Sequence, residues 1–96
     1  HIRSIDIIQK IVADYFNISF ADIKGKKRTK NISFPRHVAM YLAREMTDFS
    51  TTEIGVEFGG RDHTTVMHGI KAVAKLRQED PEVAQDYEKL LLLIQN

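Results

Sequence analysis

The sequence from Gly59 to Val73, GGRDHTTVMHGIKAV, contains the features that decide the fold. Two glycines interrupt the chain, and Asp62 then stands where an N-cap residue would begin a helix. Behind it, Val66, Ile70 and Val73 recur at helical spacing. A glycine-containing turn followed by such a helix predicts the second half of a helix-turn-helix.

The residues before this turn predict the first half of the motif. Ser50 and Glu53 have the spacing of a capping box and predict a short helix that runs through Phe58. Gly55 has no Cβ and would let the two helices cross closely, while Gly59 can adopt the positive φ that ends a helix. We therefore predict a helix-turn-helix in the second half of the chain.

Two helices are predicted near the start of the chain. Ser4 is a candidate N-cap for a first helix that ends at Asn17. Ser19 with Asp22 three residues later predicts a short second helix, which stops before Gly25.

Two further helices flank the helix-turn-helix. Proline suits the first turn of a helix, so Ser33 and Pro35 predict the start of a third helix that stops near Asp48. Asp80 followed by Pro81 predicts the start of a last helix. No segment shows strand alternation with hairpin signals. We predict an all-α domain of about six helices with a central helix-turn-helix.

Composition restricts the class of protein. The 96 residues, 43% of them hydrophobic, fit one domain spanning residues 1–96. The chain has no cysteine, which excludes disulfides and thiolate metal sites, and no apolar run long enough to span a bilayer. We expect a cytoplasmic protein, and the first residue, His1 rather than Met, suggests a fragment of a longer one.

The charge is strongly polarised along the chain. From Ile23 to Arg44 there are seven basic residues and no acid, whereas the twenty residues from Arg77 hold five acids and two bases. The basic stretch KGKKRTKNIS, Lys24 to Ser33, lacks apolar periodicity and predicts a loop. Cationic surfaces recruit polyanions through counterion release, so we expect nucleic acid as the partner. Binding of the basic loop to acidic lipid has no support beyond its charge, so we expect no membrane partner.

The predicted fifth helix has a polar face that suits DNA. Thr64, His68 and Lys71 lie opposite its apolar side on a helical wheel. The first turn of the second helix of a helix-turn-helix enters the major groove. There, Asp62 can accept from a cytosine amino group, His63 can donate to a purine, and Thr64 can contact a thymine methyl. Asp62 would also cap the helix.

The same residues do not predict a metal, catalytic or nucleotide site. His63 and His68 are five residues apart on a helix and cannot share a metal as an i, i+4 pair could. Arg61, Asp62 and His63 are adjacent, point in different directions and converge with no nucleophile. A phosphate-binding G-x-x-x-x-G-K-[ST] motif is absent, because Lys27 stands where KGKK would need Ser or Thr. We therefore predict that this domain is not an enzyme.

Two segments carry a family resemblance. GRDHTTV, from Gly60, and RHVAMYLAREMT, from Arg36, closely resemble the C-terminal DNA-binding domain of the bacterial DnaA replication initiators. The resemblance covers nearly the whole chain. It implies a six-helix fold similar to that of the Trp repressor, and binding to A·T-rich DnaA boxes at the replication origin. It also implies that the ATPase domain, with its ATP and magnesium, lies outside this chain.

The resemblance assigns site residues. Base reading in the major groove matches Asp62, His63 and Thr64, and an arginine in the adjacent minor groove matches Arg28 of ADIKGKKRTK. A narrow A·T minor groove attracts arginine, which agrees with this assignment. Reading two grooves would let a monomer bind an asymmetric box. Phosphate contacts are predicted for the remaining polar side chains of these segments: Lys27, Arg36, His37, Arg61, Thr65, His68 and Lys71.

Two alternatives stay open at this point. The same helix-turn-helix surface could be a protein-interaction module that docks regulators of replication. The leucine-rich run KLLLLI, Lys89 to Ile94, covers more than one helix face, and either completes the core or binds a partner. For Tyr41, Phe49 and Phe58, we expect packing in the core rather than stacking on bases.

Overall fold

The computed structural model describes residues 4–96, and six helices account for most of them. No strand occurs within this range, and none of its helices is long and apolar enough to cross a membrane. The helices are α1 (Ile5–Tyr15), α2 (Phe20–Lys24), α3 (Lys30–Met46), α4 (Thr51–Glu57), α5 (His63–Glu79) and α6 (Pro81–Gln95). The predicted all-α, six-helix architecture is confirmed.

Helix α3 forms the centre of the domain. Its middle section, from Val38 to Ala43, is buried around the whole helix, with Met40 and Leu42 fully inaccessible. It packs against α1, α2, α4 and α5, and α6 closes the core by packing on α1 and α5. A helix that is apolar on all sides needs partners on all sides, and this position satisfies that need.

Most predicted helix starts are confirmed by their caps. The hydroxyl of Ser19 accepts from the N–H of Asp22, and both hydrogen bonds of the Ser50–Glu53 capping box are present. Asp80 caps α6, with Pro81 in the first turn. Ser4 occupies the N-cap position of α1, but its side chain makes no capping hydrogen bond.

The predicted start of the third helix is wrong by one turn. Helix α3 begins at Lys30, after Thr29, so Pro35 lies inside it and the basic stretch is only partly a loop. Tertiary contacts support this extra turn: Ile32 is buried, and the rings of Phe16 and Phe34 meet edge to face with centroids 5.8 Å apart. Packing of this kind overrides the local signal of a proline.

The helix-turn-helix consists of α4, the turn that follows it, and α5. Gly59 and Gly60 have φ of 75° and 76°, in the left-handed region that glycine favours. The carbonyl of Gly55 accepts from the N–H of Arg61 at 3.0 Å, and a Cβ on Gly55 would overlap the carbonyl oxygen of Arg61. The predicted need for small residues at Gly55 and Gly59 is confirmed.

The predicted core aromatics lie in or against the core, but the leucine-rich run is divided. Phe58 and Tyr41 are buried, and Phe49 packs against the core. In α6, Leu90 and Ile94 are buried. The run also leaves two apolar side chains in solvent, because Leu92 and Leu93 are 64% and 51% exposed.

Candidate nucleic-acid interface

The first turn of α5 presents a continuous row of polar side chains. Asp62, His63, Thr64 and Thr65 are all exposed. The carboxylate of Asp62 accepts from the N–H of Thr65 at 2.9 Å, and this bond is the main reason that the pKa of Asp62 is lowered. Asp62 is therefore an ionised N-cap whose carboxylate is also accessible from solvent.

The outward face of α5 continues this row along the helix. His68, Lys71 and Lys75 are exposed, whereas Val66 and Val73 are buried. The division into a core face and a basic face is the one that the helical wheel predicts. It gives α5 a strip of hydrogen-bond donors and positive charge on the side away from the core.

The α2–α3 loop, residues 25–29, carries the densest positive charge of the described chain. Its Lys26, Lys27 and Arg28 are exposed. The ammonium group of Lys27 lies 3.5 Å from the carboxylate of Asp22, and its side chain is still 67% exposed. A single exposed ion pair of this kind contributes little stability and leaves Lys27 accessible to a polyanion.

Arg61 joins this loop to the helix-turn-helix. Its Nη1 donates to the carbonyl of Phe58 at 2.6 Å, and its Nη2 donates to the carbonyl of Gly25 at 2.7 Å. Gly59 lies against the same segment, since a Cβ there would lie 2.6 Å from the carbonyl oxygen of Lys24. The structure thus places the loop directly beside the turn before α5, which brings both predicted reading elements together.

Arg36 corrects the sequence-based interpretation. Predicted as a phosphate contact at the start of a helix, it lies in the second turn of α3 and is only 2% exposed. Its three nitrogens donate inward to the carbonyls of Ile23, Lys27 and Asp22, at 3.0, 2.8 and 2.7 Å. Because the guanidinium is held by these bonds, it is not presented to a phosphate in this structure.

His37 lies where α3 packs against the middle of α5. It is half-buried, and its ring lies against Gly69 of α5, where a Cβ would approach the ring to 2.8 Å. Burial lowers the pKa of His37, and the positive charges of Arg36 and Arg61 lower it further. In the free domain these effects favour the neutral imidazole.

Sequence reasoning missed the internal roles of Arg36 and Arg61. Both bind carbonyls far away in sequence, up to 36 residues for Arg61 and Gly25, and no local pattern encodes such pairs. Gly69 could have been noticed, because a glycine in mid-helix is unfavourable by about 1 kcal/mol relative to alanine and so suggests a close packing contact.

Comparisons with known proteins place this fold in a family. Residues 5–73 match the family described as "Bacterial dnaA protein helix-turn-helix". The chain is 67% identical over 91 residues, 95% of its length, to the chromosomal replication initiator protein DnaA of Neisseria meningitidis. It is 55% identical over 87 residues, 91% of its length, to the protein of that name from Treponema denticola.

The chain matches only part of these relatives. It covers 18% of the Neisseria protein and 19% of the Treponema protein. The residues that match the family nonetheless span α1 to α4 and most of α5, and they include the loop, the turn and the polar row described above. The chain belongs to the bacterial DnaA helix-turn-helix family.

Proposed function

We propose that this domain binds double-stranded DNA sequence-specifically at DnaA boxes of the chromosomal origin, as part of the initiation and regulation of replication by a longer cytoplasmic protein. Membership of the helix-turn-helix family supports duplex DNA as the partner. The observation that carries the finer proposal is the hydrogen bond from Arg61 to Gly25, which holds a cationic loop beside the polar first turn of α5.

The first turn of α5 would read bases in the major groove. Asp62, His63 and Thr64 are exposed at the end of the helix that a helix-turn-helix inserts into this groove. Their groups match base edges: a carboxylate accepts from cytosine, an imidazole donates to a purine, and a threonine methyl packs on thymine. Because Asp62 uses its carboxylate to cap the helix, its base contact would also depend on the helix being intact.

Arg28 would enter the adjacent minor groove from the α2–α3 loop. Arg28 is exposed, and it belongs to the loop that Arg61 holds beside the turn before α5 through the carbonyl of Gly25. A narrow A·T minor groove has an enhanced negative potential that attracts arginine. Simultaneous reading of two grooves would give a monomer an asymmetric recognition site.

The remaining polar side chains would contact phosphates on both sides of the major groove. We propose that these contacts need no metal or nucleotide bound to this domain. Arg36 is omitted because of its burial, and Arg61 would use the guanidinium donors that its two carbonyl contacts leave available. The set is Lys27, His37, Arg61, Thr65, His68 and Lys71.

The proposal is tested by fluorescence-anisotropy titration of the domain against a DnaA-box duplex and a scrambled duplex of equal composition, at two salt concentrations. We expect a preference for the box that persists at the higher salt, with weaker and more salt-sensitive binding to the scrambled duplex. Equal affinity for both duplexes would refute base reading. A salt slope near zero would favour the alternative, in which the same surface docks regulatory proteins.

A further inference from the structure

The α2–α3 loop is held in place by two guanidinium groups that come from outside it. Arg36, from α3, bonds the carbonyl of Lys27 within the loop and the carbonyls of Asp22 and Ile23 in α2. Arg61, from the turn before α5, bonds the carbonyl of Gly25. The two contacts fix the loop backbone on both sides of Lys26.

Arg61 is itself held in place by further hydrogen bonds within the helix-turn-helix. Arg61 bonds the carbonyl of Phe58 with its other terminal nitrogen, and its own N–H donates to the carbonyl of Gly55. It directly precedes Asp62, the N-cap of α5. A single planar guanidinium therefore bridges the α2–α3 loop and the helix-turn-helix, with two donors whose relative geometry cannot change.

The arrangement concentrates positive charge at the point where the two elements meet. Burial is the main reason that the pKa of Arg36 and the pKa of Arg61 are lowered, and repulsion from a neighbouring guanidinium lowers each further, from Arg61 for Arg36 and from Arg28 for Arg61. Arg36 and Arg61 are held in this repulsive arrangement by backbone carbonyls. A polyanion beside Arg28 would relieve the repulsion, which favours binding to the loop in its present position.

We infer that Arg36 and Arg61 are positioning residues, which fix the α2–α3 loop relative to the first turn of α5 so that the two elements bind DNA as one rigid unit. The inference rests on the proposed function, because it assumes that Arg28 and Thr64 contact the same duplex. It goes beyond that function, because it makes base preference depend on the distance between the two elements, and that distance depend on two residues that read no base.

A double-mutant cycle with the box duplex tests this inference. Arg28→Ala, Thr64→Ala and the double variant are titrated in the natural chain and in an Arg61→Lys chain, which keeps the charge but cannot reproduce the paired contacts. In the natural chain, we expect the fold-loss of affinity in the double variant to be smaller, by at least about threefold, than the product of the two single fold-losses. In Arg61→Lys, we expect the losses to multiply to within about twofold.

Lys26→Gln is the matched control. It changes an exposed residue between the two fixed carbonyls and removes a charge, so it should weaken binding to both duplexes while the Arg28–Thr64 coupling persists. Coupling that survives in Arg61→Lys, or that is absent from the natural chain, would overturn the inference while box preference, and with it the proposed function, still stands. Absence of box preference in the natural chain would overturn both.

A second measurement needs no DNA. We expect ¹⁵N relaxation of the Arg61→Lys domain to show lower order parameters for residues 26–29 than in the natural chain, with those of α5 unchanged. This readout separates a positioning role from general loss of structure, which would lower order parameters throughout. Unchanged order in the loop would contradict the inference.

Discussion

The first turn of α5 and the α2–α3 loop are neighbours in space but are held by different means. The α5 turn is stabilised locally: Asp62 caps the N–H of Thr65, three residues away, and regular helix follows. The loop is irregular, and its backbone carbonyls are bound by Arg36 and Arg61, 9 and 36 residues away. The same surface thus combines one element shaped by its own sequence with one shaped by the rest of the fold.

The difference predicts how each element responds to mutation. A local cap can be lost with little effect outside its own helix turn. A buried guanidinium that donates to several carbonyls is harder to replace, since its removal takes three hydrogen bonds from the backbone at once, one of them fully buried. The loop should therefore be the more sensitive of the two to mutation, although the side chains of both elements are exposed.

The largest expected effect follows from removing Arg36. Arg36→Met keeps the aliphatic stem but removes the guanidinium donors to the carbonyls of Asp22, Ile23 and Lys27, of which only that of Asp22 also accepts from the N–H of Gly25. We expect a loss of about 4 kcal/mol in the free energy of unfolding, because the group is buried and all its bonds are made to the protein. Urea denaturation followed by circular dichroism measures this loss.

Arg44→Met is the matched control for that experiment. Arg44 is an exposed arginine of the same helix and donates one bond, at 3.2 Å, to the carbonyl of Phe49. We expect it to change stability by less than about 1 kcal/mol. Equal losses for the two variants would show that the internal bonds of Arg36 contribute nothing specific to the loop.

The packing of α4 against the turn that precedes α5 gives the next largest effect. In Gly55→Ala, the new Cβ would overlap the carbonyl oxygen of Arg61, so the turn must shift. We expect a loss of about 3 kcal/mol in the free energy of unfolding. For Gly60→Ala in the same turn, which has positive φ but nothing within 4 Å of the added Cβ, we expect a loss of about 1 kcal/mol. A smaller loss for Gly55→Ala than for Gly60→Ala in thermal or urea unfolding would contradict this account.

The two elements also differ in how well the sequence predicts them. The α5 turn is fully anticipated, because glycines, a capping aspartate and apolar spacing are local signals that act over three or four residues. The bounds of the loop are not, because Pro35 suggests a helix start while Ile32 and Phe34 pack an earlier turn onto the core. Packing energy acts over any sequence separation, so it is not visible in a local pattern.

Residue roles divide in the same way. Side chains that act at the surface of a helix, such as His68 and Lys71, have the exposure that the helical wheel predicts. Arginines are ambiguous, because one guanidinium can serve a phosphate or a carbonyl equally well. Only the position of Arg36 in the fold, facing the end of α2, decides that it binds carbonyls.

In DNA binding, the two elements should contribute differently. We expect Thr64→Ala or His63→Ala to reduce the preference for box over scrambled DNA by about 1–3 kcal/mol, as the loss of a base contact does. We expect Lys27→Ala to weaken binding to both duplexes equally and to reduce the salt slope by about one unit, as the loss of a phosphate contact does. Anisotropy titrations with both duplexes measure these changes, and equal losses on both duplexes for the Thr64 and His63 variants would refute their role as base readers.

The smallest expected effect is a pH dependence confined to the α5 turn. The pKa of Asp62 is lowered because its carboxylate accepts from Thr65, so the stabilisation is present above the ordinary pKa and is lost as pH falls through the folded value. Asp62→Asn keeps a capping oxygen but cannot titrate. We expect the melting temperature of the natural chain, relative to that of Asp62→Asn, to be constant near neutral pH and to fall below about pH 4.

Glu53, whose pKa is lowered by its bonds to Ser50, is common to both chains and cancels in this difference. A difference that stays constant down to about pH 2 would show that the charge of the carboxylate adds nothing to the cap, and that the capping oxygen alone stabilises the α5 turn.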